Sequence, residues 1–227
     1  MKNVKTKILS LLLVIVCTLS ILSLSSCNKK YDEEEVLAAA KTLLKEAELL
    51  NVIYYGSGVQ YYENDRANGN YREANSEHLR ELGFSTVDEL MILTEKTFSD
   101  NYSDLLYSTI IYGLKDDTSV ITAARYYQAY DEETNESYMM VNSKFTVMFK
   151  DSIEYDYDSM KVEKSSKEKV YVSVEATVTN SEGASQKTTV TITLVEEDDG
   201  WKIDNPTYAN YNSLKDRYDE LKDKDIK

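Results

Sequence analysis

Cysteine, histidine and proline are scarce in this chain, and each shortage removes a class of chemistry. The two cysteines are Cys17 and Cys27, and none follows them. Beyond Cys27 there is thus no intramolecular disulfide, thiol nucleophile or thiolate-bound zinc. The single histidine is His78. A Ser-His-Asp triad would have to use it, and a multi-histidine metal site is excluded. One proline and seven glycines in 227 residues leave no low-complexity linker and argue against a hinged two-lobed protein. Basic residues are outnumbered, 26 against 40 acidic ones, for a formal charge of −14. Such a surface repels nucleic acid and anionic lipid head groups and favours basic partners, cations or neutral ligands. Its ordinary use is plain solubility.

What is present suits a single globular domain: 42% hydrophobic and 29% charged residues. The N-terminus stands apart. Met1 to Lys7 is basic, Ile8 to Leu22 is apolar, and Leu24-Ser25-Ser26-Cys27 follows. This order resembles the bacterial lipobox, a Leu and two small residues before an acylated Cys. The resemblance implies a signal peptide over 1–26, cleavage after Ser26, and a diacylglyceryl thioether on Cys27 that inserts palmitate-type chains into the membrane. A short transmembrane anchor is the alternative. Two or more acyl chains, at about 0.8 kcal/mol per buried CH₂, hold a protein stably on a bilayer. The folded part is then expected on the outer face of the cytoplasmic membrane, without ATP or NAD, and no cofactor is expected. Removing Lys2, Lys5 and Lys7 takes the formal charge from −14 to −17. Residues 27–31 read as lipidated Cys and tether, 32–209 as one α+β domain, and 210–227 as a C-terminal helix or tail.

Within the domain, Asp32 and Glu35 open a helix expected from Glu33 to Tyr55. Val36, Ala40, Leu43, Ala47, Leu50 and Tyr54 form its apolar stripe, widened by Leu37, Leu44 and Ile53. Gly56-Ser57-Gly58 ends it. Val59 to Tyr62 reads as a short strand, Glu63 to Asn70 as a loop, and Tyr71 to Leu82 as ambiguous. Ser85 or Thr86 caps a further helix with Leu90, Met91, Leu93 and Phe98 inward and Thr94 outside. Ser99 caps another, to Tyr107. Val120 to Tyr130 and Ser137 to Val141 read as strands around an acidic loop, and Lys144 to Lys150 as one more. From Lys169 to Thr179, Val170, Val172, Val174, Ala176 and Val178 share one face. Asn180 to Gly183 turns the chain into Val190, Ile192 and Leu194. Asp198-Asp199-Gly200 turns it again into Trp201 and Ile203. Ile153, Tyr155 and Tyr157 alternate on odd numbers, then Met160 and Val162 on even ones, which predicts a bulge near Asp158-Ser159. The fold class is α+β, with N-terminal helices against a bent antiparallel sheet.

From about Ser152 to Tyr208, the bent meander with its closing Asp199-Gly200-Trp201-Lys202-Ile203-Asp204 resembles the nuclear transport factor 2-like superfamily of cone-shaped α+β domains. A second resemblance rests on Tyr54-Tyr55-Gly56, Tyr71-Arg72 and the Ser85-to-Phe98 helix followed by Ser99. These are similar to the DL-endopeptidase inhibitor family of Gram-positive cell-wall proteins. That likeness implies a non-enzymatic protein that blocks peptidoglycan hydrolases. The lipobox is a departure from its pattern.

Tyrosine is the abundant aromatic, with 19 copies. Tyr offers large contact area at low entropy cost plus a hydroxyl, which suits glycan and protein surfaces, and also half-buried packing. Tyr126, Tyr127 and Tyr130, with Asp131, Glu132 and Glu133 on the acidic loop, are candidate ligand-binding residues. These acids suit a cationic cleft of a hydrolase or a basic peptide, with weak Ca²⁺ binding as an alternative use; they match no EF-hand, and no metal site is assigned. Tyr155, Tyr157 and Trp201 would line a pocket if the first helix leaves the sheet's mouth open. His78 reads as a satisfied or surface histidine rather than a catalyst. Three functions remain: a lipid-anchored binding module for a cell-wall hydrolase or wall fragment, a pocket-type small-ligand binder, and a cone-fold enzyme. The first is favoured, and no catalytic residue is assigned.

Overall fold

The structure is a computed structural model. It describes residues 31–63, 66–115, 120–145, 152–166, 168–180 and 182–207. The expected signal peptide, Cys27, the expected C-terminal helix or tail and most of the strand expected over Lys144 to Lys150 lie outside the described residues.

A 22-residue helix, α1 (Glu33–Tyr54), is the centre of the core. Asp32 caps it, accepting from the Glu34 and Glu35 N–H groups at 3.0 and 3.3 Å. Three glutamates in its first turn complement the helix dipole. The expected stripe is buried, and Leu44 and Ile53 are buried with it. The helix stops where Gly58 takes φ +72° and its N–H turns back to the Val52 carbonyl.

The stripe packs into a curled sheet of four antiparallel strands: β7 (Ser152–Ser165), β8 (Lys169–Thr179), β9 (Ser185–Glu197) and β10 (Gly200–Ile203). Its concave face carries Val170, Val172, Val174, Ala176, Ile192, Leu194 and Ile203, all in one apolar cluster with α1. The curl has a local cause. The β7–β8 register slips between Asp156 and Lys161, and again between Val162 and Lys164. The parity switch marked that slip. Ser159 bridges to β8 there, accepting from the Glu175 N–H at 2.8 Å and donating to the Asp156 carbonyl at 2.6 Å. Extra residues on one strand sharpen twist and bend the ladder.

The closing segment fastens this sheet to the helices. Ser99 N–H donates to the Ile203 carbonyl at 2.9 Å, and Ser99 Oγ to Asp204 at 2.5 Å. Lys202 is buried, donating to the Glu95 carbonyl at 2.7 Å and to Asp199 at 2.8 Å. The helices are α2 (Ser76–Leu82), α3 (Val87–Thr97) and α4 (Asp100–Leu106), followed by a π-helical turn over Tyr107–Ile111. Thr86 caps α3, accepting from the Glu89 N–H at 3.1 Å. Thr94 corrects the expectation for α3. It is fully buried, within 2.5 Å of the Tyr54 hydroxyl, and donates to Leu90 O at 2.7 Å.

A second antiparallel sheet has the order β1 (Ala67–Asn68), β2 (Tyr71–Glu73), β6 (Glu136–Asn142), β5 (Tyr126–Asp131). The expected loop over Glu63 to Asn70 thus holds a strand, paired through a turn in which Gly69 has φ +58°. Val59 to Tyr62 contributes only a bridge from Tyr61 to Ala74. The single strand expected over Val120 to Tyr130 is two: β4 (Val120–Thr122), paired with β3 (Leu114–Lys115), and β5. Arg125 sits at the break, its N–H donating to Ile110 O at 2.7 Å.

Candidate functional site

The hairpin of β5 and β6 puts alternate side chains on opposite faces. Tyr126, Met139 and Val141 point into the main apolar cluster. Tyr127, Ala129 and Asp131 point the other way, opposite Met140, Tyr138 and Glu136. β2 extends this outer face with Tyr71 and Glu73, opposite Asn142 and Met140. Met140 is 2% exposed yet lies outside the main apolar cluster. It is the floor of a face walled by tyrosines.

The walls are ordered. Tyr71 and Tyr127 meet edge to face, centroids 4.8 Å apart at 77°, a favoured arrangement worth about 0.5–1.5 kcal/mol beyond area burial. Asn68 Nδ2 donates to the Tyr127 hydroxyl at 3.1 Å, and the Tyr71 hydroxyl donates to Ala124 O at 2.8 Å. Arg66 lies 4.5 Å above the Tyr138 ring. Its guanidinium pairs with Asp131 at 3.1 Å and approaches Glu73 at 3.9 Å. The Thr134 and Glu133 N–H groups, with Arg66 beside them, hold the Asp131 carboxyl below the usual carboxylate range. Burial, then the neighbouring Tyr127, raises the Tyr71 hydroxyl. The result is a fixed aromatic surface rimmed by amide, guanidinium and carboxylate groups, able to stack on a ring or apolar face and hydrogen-bond at its edge.

Two acidic clefts lie at the other sheet. One, of about 460 Å³, is lined by Glu95, Asp100, Glu197, Asp198 and Asp199. Glu197 is raised by burial, although it accepts from the Asp100 N–H at 3.1 Å. Lys202 holds Asp199 below the carboxylate range. The other, of about 410 Å³, includes Tyr31, Asn101, Lys169 and Asp204. Among the described residues, no group of three or more His, Cys, Asp or Glu is arranged to hold a metal. No described helix is long and apolar enough to cross a membrane.

The predicted residues divide. Tyr127 and Asp131 belong to the outer face. Glu132 and Glu133 are exposed on the hairpin turn. Tyr130 is exposed on the opposite side of β5, its hydroxyl donating to Asn135. Tyr126 is a correction: it is 0% exposed, donates to Ile53 O at 2.6 Å and accepts from the Val59 N–H at 3.2 Å. It locks the end of α1 and offers no contact surface.

The expected pocket is also corrected. Tyr155 and Tyr157 stand on β7 and Trp201 on β10, at opposite edges of the sheet. Between them α1 fills the concavity. Tyr155 donates to Thr207 O at 2.6 Å, Tyr157 to Glu48 at 2.6 Å, and Trp201 packs edge-on against Tyr31 at 4.9 Å. His78 Nδ1 accepts from the Gln60 N–H at 3.0 Å, a satisfied histidine.

Sequence reasoning missed Arg66, Asn68, Tyr71 and Tyr138 as members of one face. The available signal was the two-residue Gly69-Asn70 turn, which pairs Asn68 with Tyr71. No protein-family model, curated protein or solved structure matches this chain.

Proposed function

We propose that this chain is an extracytoplasmic lipoprotein, held on the outer face of the cytoplasmic membrane through an acylated Cys27, that acts as a non-enzymatic binding module for a cell-wall hydrolase or wall fragment. The observation that carries the binding role is the outer face of the small sheet, where Tyr71, Tyr127 and Tyr138 surround the buried Met140. Interface and glycan surfaces use such rigid amphipathic rings, since a Tyr loses little entropy when it is covered. The Leu24-Ser25-Ser26-Cys27 sequence supports the anchor. The likenesses to the nuclear transport factor 2-like superfamily and to the endopeptidase inhibitors support a binding role on an α+β scaffold. The single histidine has its Nδ1 taken up by the Gln60 N–H, which weighs against the enzyme reading. The pocket reading loses its support, because its three aromatics do not converge.

The test is capture from cell envelope by the membrane-anchored full chain. A hydrolase or wall fragment is expected to bind, and the Tyr71→Ala/Tyr127→Ala variant is expected to lose about 2 kcal/mol, roughly thirtyfold in Kd. Capture of neither class by the wild type, or equal capture by a folded variant, would sink the proposal.

A further inference from the structure

Arg125 lies between β4 and β5 and is 3% exposed. Its Nη2 donates to the Gly56 carbonyl at 2.8 Å. Nε and Nη1 are buried and have no hydrogen-bond partner. Among the described residues no Asp or Glu pairs with it. Instead it stands 4.6 Å from the Phe145 ring and 5.4 Å from the Tyr126 ring. A ring attracts a cation but does not replace the oxygen acceptors that five N–H donors find in water. Leaving a buried charge without an opposite charge is among the costliest arrangements in a protein. Burial accordingly pulls the guanidinium below its usual value, and Tyr126 offsets only part of that.

The chain around it is shaped for the guanidinium. Gly58 sits at φ +72°, and a Cβ there would lie 1.9 Å from Nη2. Only glycine tolerates both that conformation and that approach. The Gly56 carbonyl then fixes the guanidinium from the end of α1.

We propose that Arg125 is the binding site of a small oxyanion, a carboxylate or phosphate group, that accepts from the nitrogens the fold leaves unpaired. The planar fork of donors fits either group. Phe145, the ring beside the guanidinium, is itself half-buried. The formal charge of −14 works against anions at long range. Screening confines that field to about 8–10 Å at physiological salt, so the short-range donors decide occupancy. The site is independent of the tyrosine face.

The full chain in detergent micelles is melted at fixed ionic strength with acetate or phosphate replacing chloride. Once the binding oxyanion exceeds its Kd, Tm is expected to rise about 3–6 °C per tenfold increase. The two salts identify which oxyanion binds. Arg125→Met is expected to abolish the rise. The same titration followed through the Arg125 Nε–H resonance should move that signal, a readout that does not require the variant to fold. Equal melting in all three salts with an unmoved resonance, or the same rise in Arg125→Met, would overturn the proposal.

Discussion

Removing the Tyr126 hydroxyl strips two interactions from the end of α1. Ile53 O loses its donor and the Val59 N–H loses its acceptor, both in the dry core. Tyr126→Phe is expected to lower stability by about 1–3 kcal/mol, read as a reduced urea midpoint with unchanged slope. Thr94 shows why such residues escape a reading of pattern. A lone Thr beside an apolar stripe looks solvent-facing, and its partner Tyr54 lies on another helix. The same holds for the candidate face. Tyr127 and Asp131 stood out because they flank an acidic turn, but Arg66 and Tyr71 join them only through strand pairing at long range. Tyr126 failed as a binding candidate for a simple reason: adjacent strand residues face opposite ways, so Tyr126 and Tyr127 cannot share a surface.

At the scale of elements, α1 and the curled sheet were legible because their periods are long and strict. The stripe and the alternation of β8 each repeat over many residues, and the parity switch on β7 reported the slip that produces the curl. β1 and β2 were not legible, because strands of two and three residues carry no period. The strand break at Arg125 was hidden for the opposite reason: polar and apolar residues continue across it without a turn signal. Packing between α1 and the sheet dominates the core, and Leu44 is its fully buried midpoint. Leu44→Ala is expected to cost about 2–5 kcal/mol, checked by denaturant unfolding. Asp32→Ala, which removes the cap of the same helix, is expected to cost about 0.5–2 kcal/mol.

For the whole molecule, the charge balance sets the pH response. Asp131, Glu163 and Asp199 are held below their ordinary carboxyl values by hydrogen bonds and cations. A depressed carboxyl contributes stability that is complete above its unfolded value and lost as pH falls through its folded value. Tm is therefore expected to fall on acidification below about pH 4. Glu197 runs the other way: its raised carboxyl stabilises the fold at low pH and loses that contribution as pH rises through its folded value. Glu197→Gln is expected to flatten that part of a Tm-against-pH profile. On the lipid anchor proposed above, Cys27→Ser is expected to move the protein from the membrane fraction to the soluble one, followed by fractionation and palmitate labelling. The slip in β7 has one more consequence. Among the described residues β7 is the longer of the two edge strands of its sheet, and a long straight edge strand would template the backbone of a second copy. The slip leaves no run of unbroken register longer than Ser152 to Asp156, and the strand carries the charges Glu154, Asp156, Asp158 and Lys161. The feature that bends the sheet around its helix therefore also keeps neighbouring copies from zipping into fibrils.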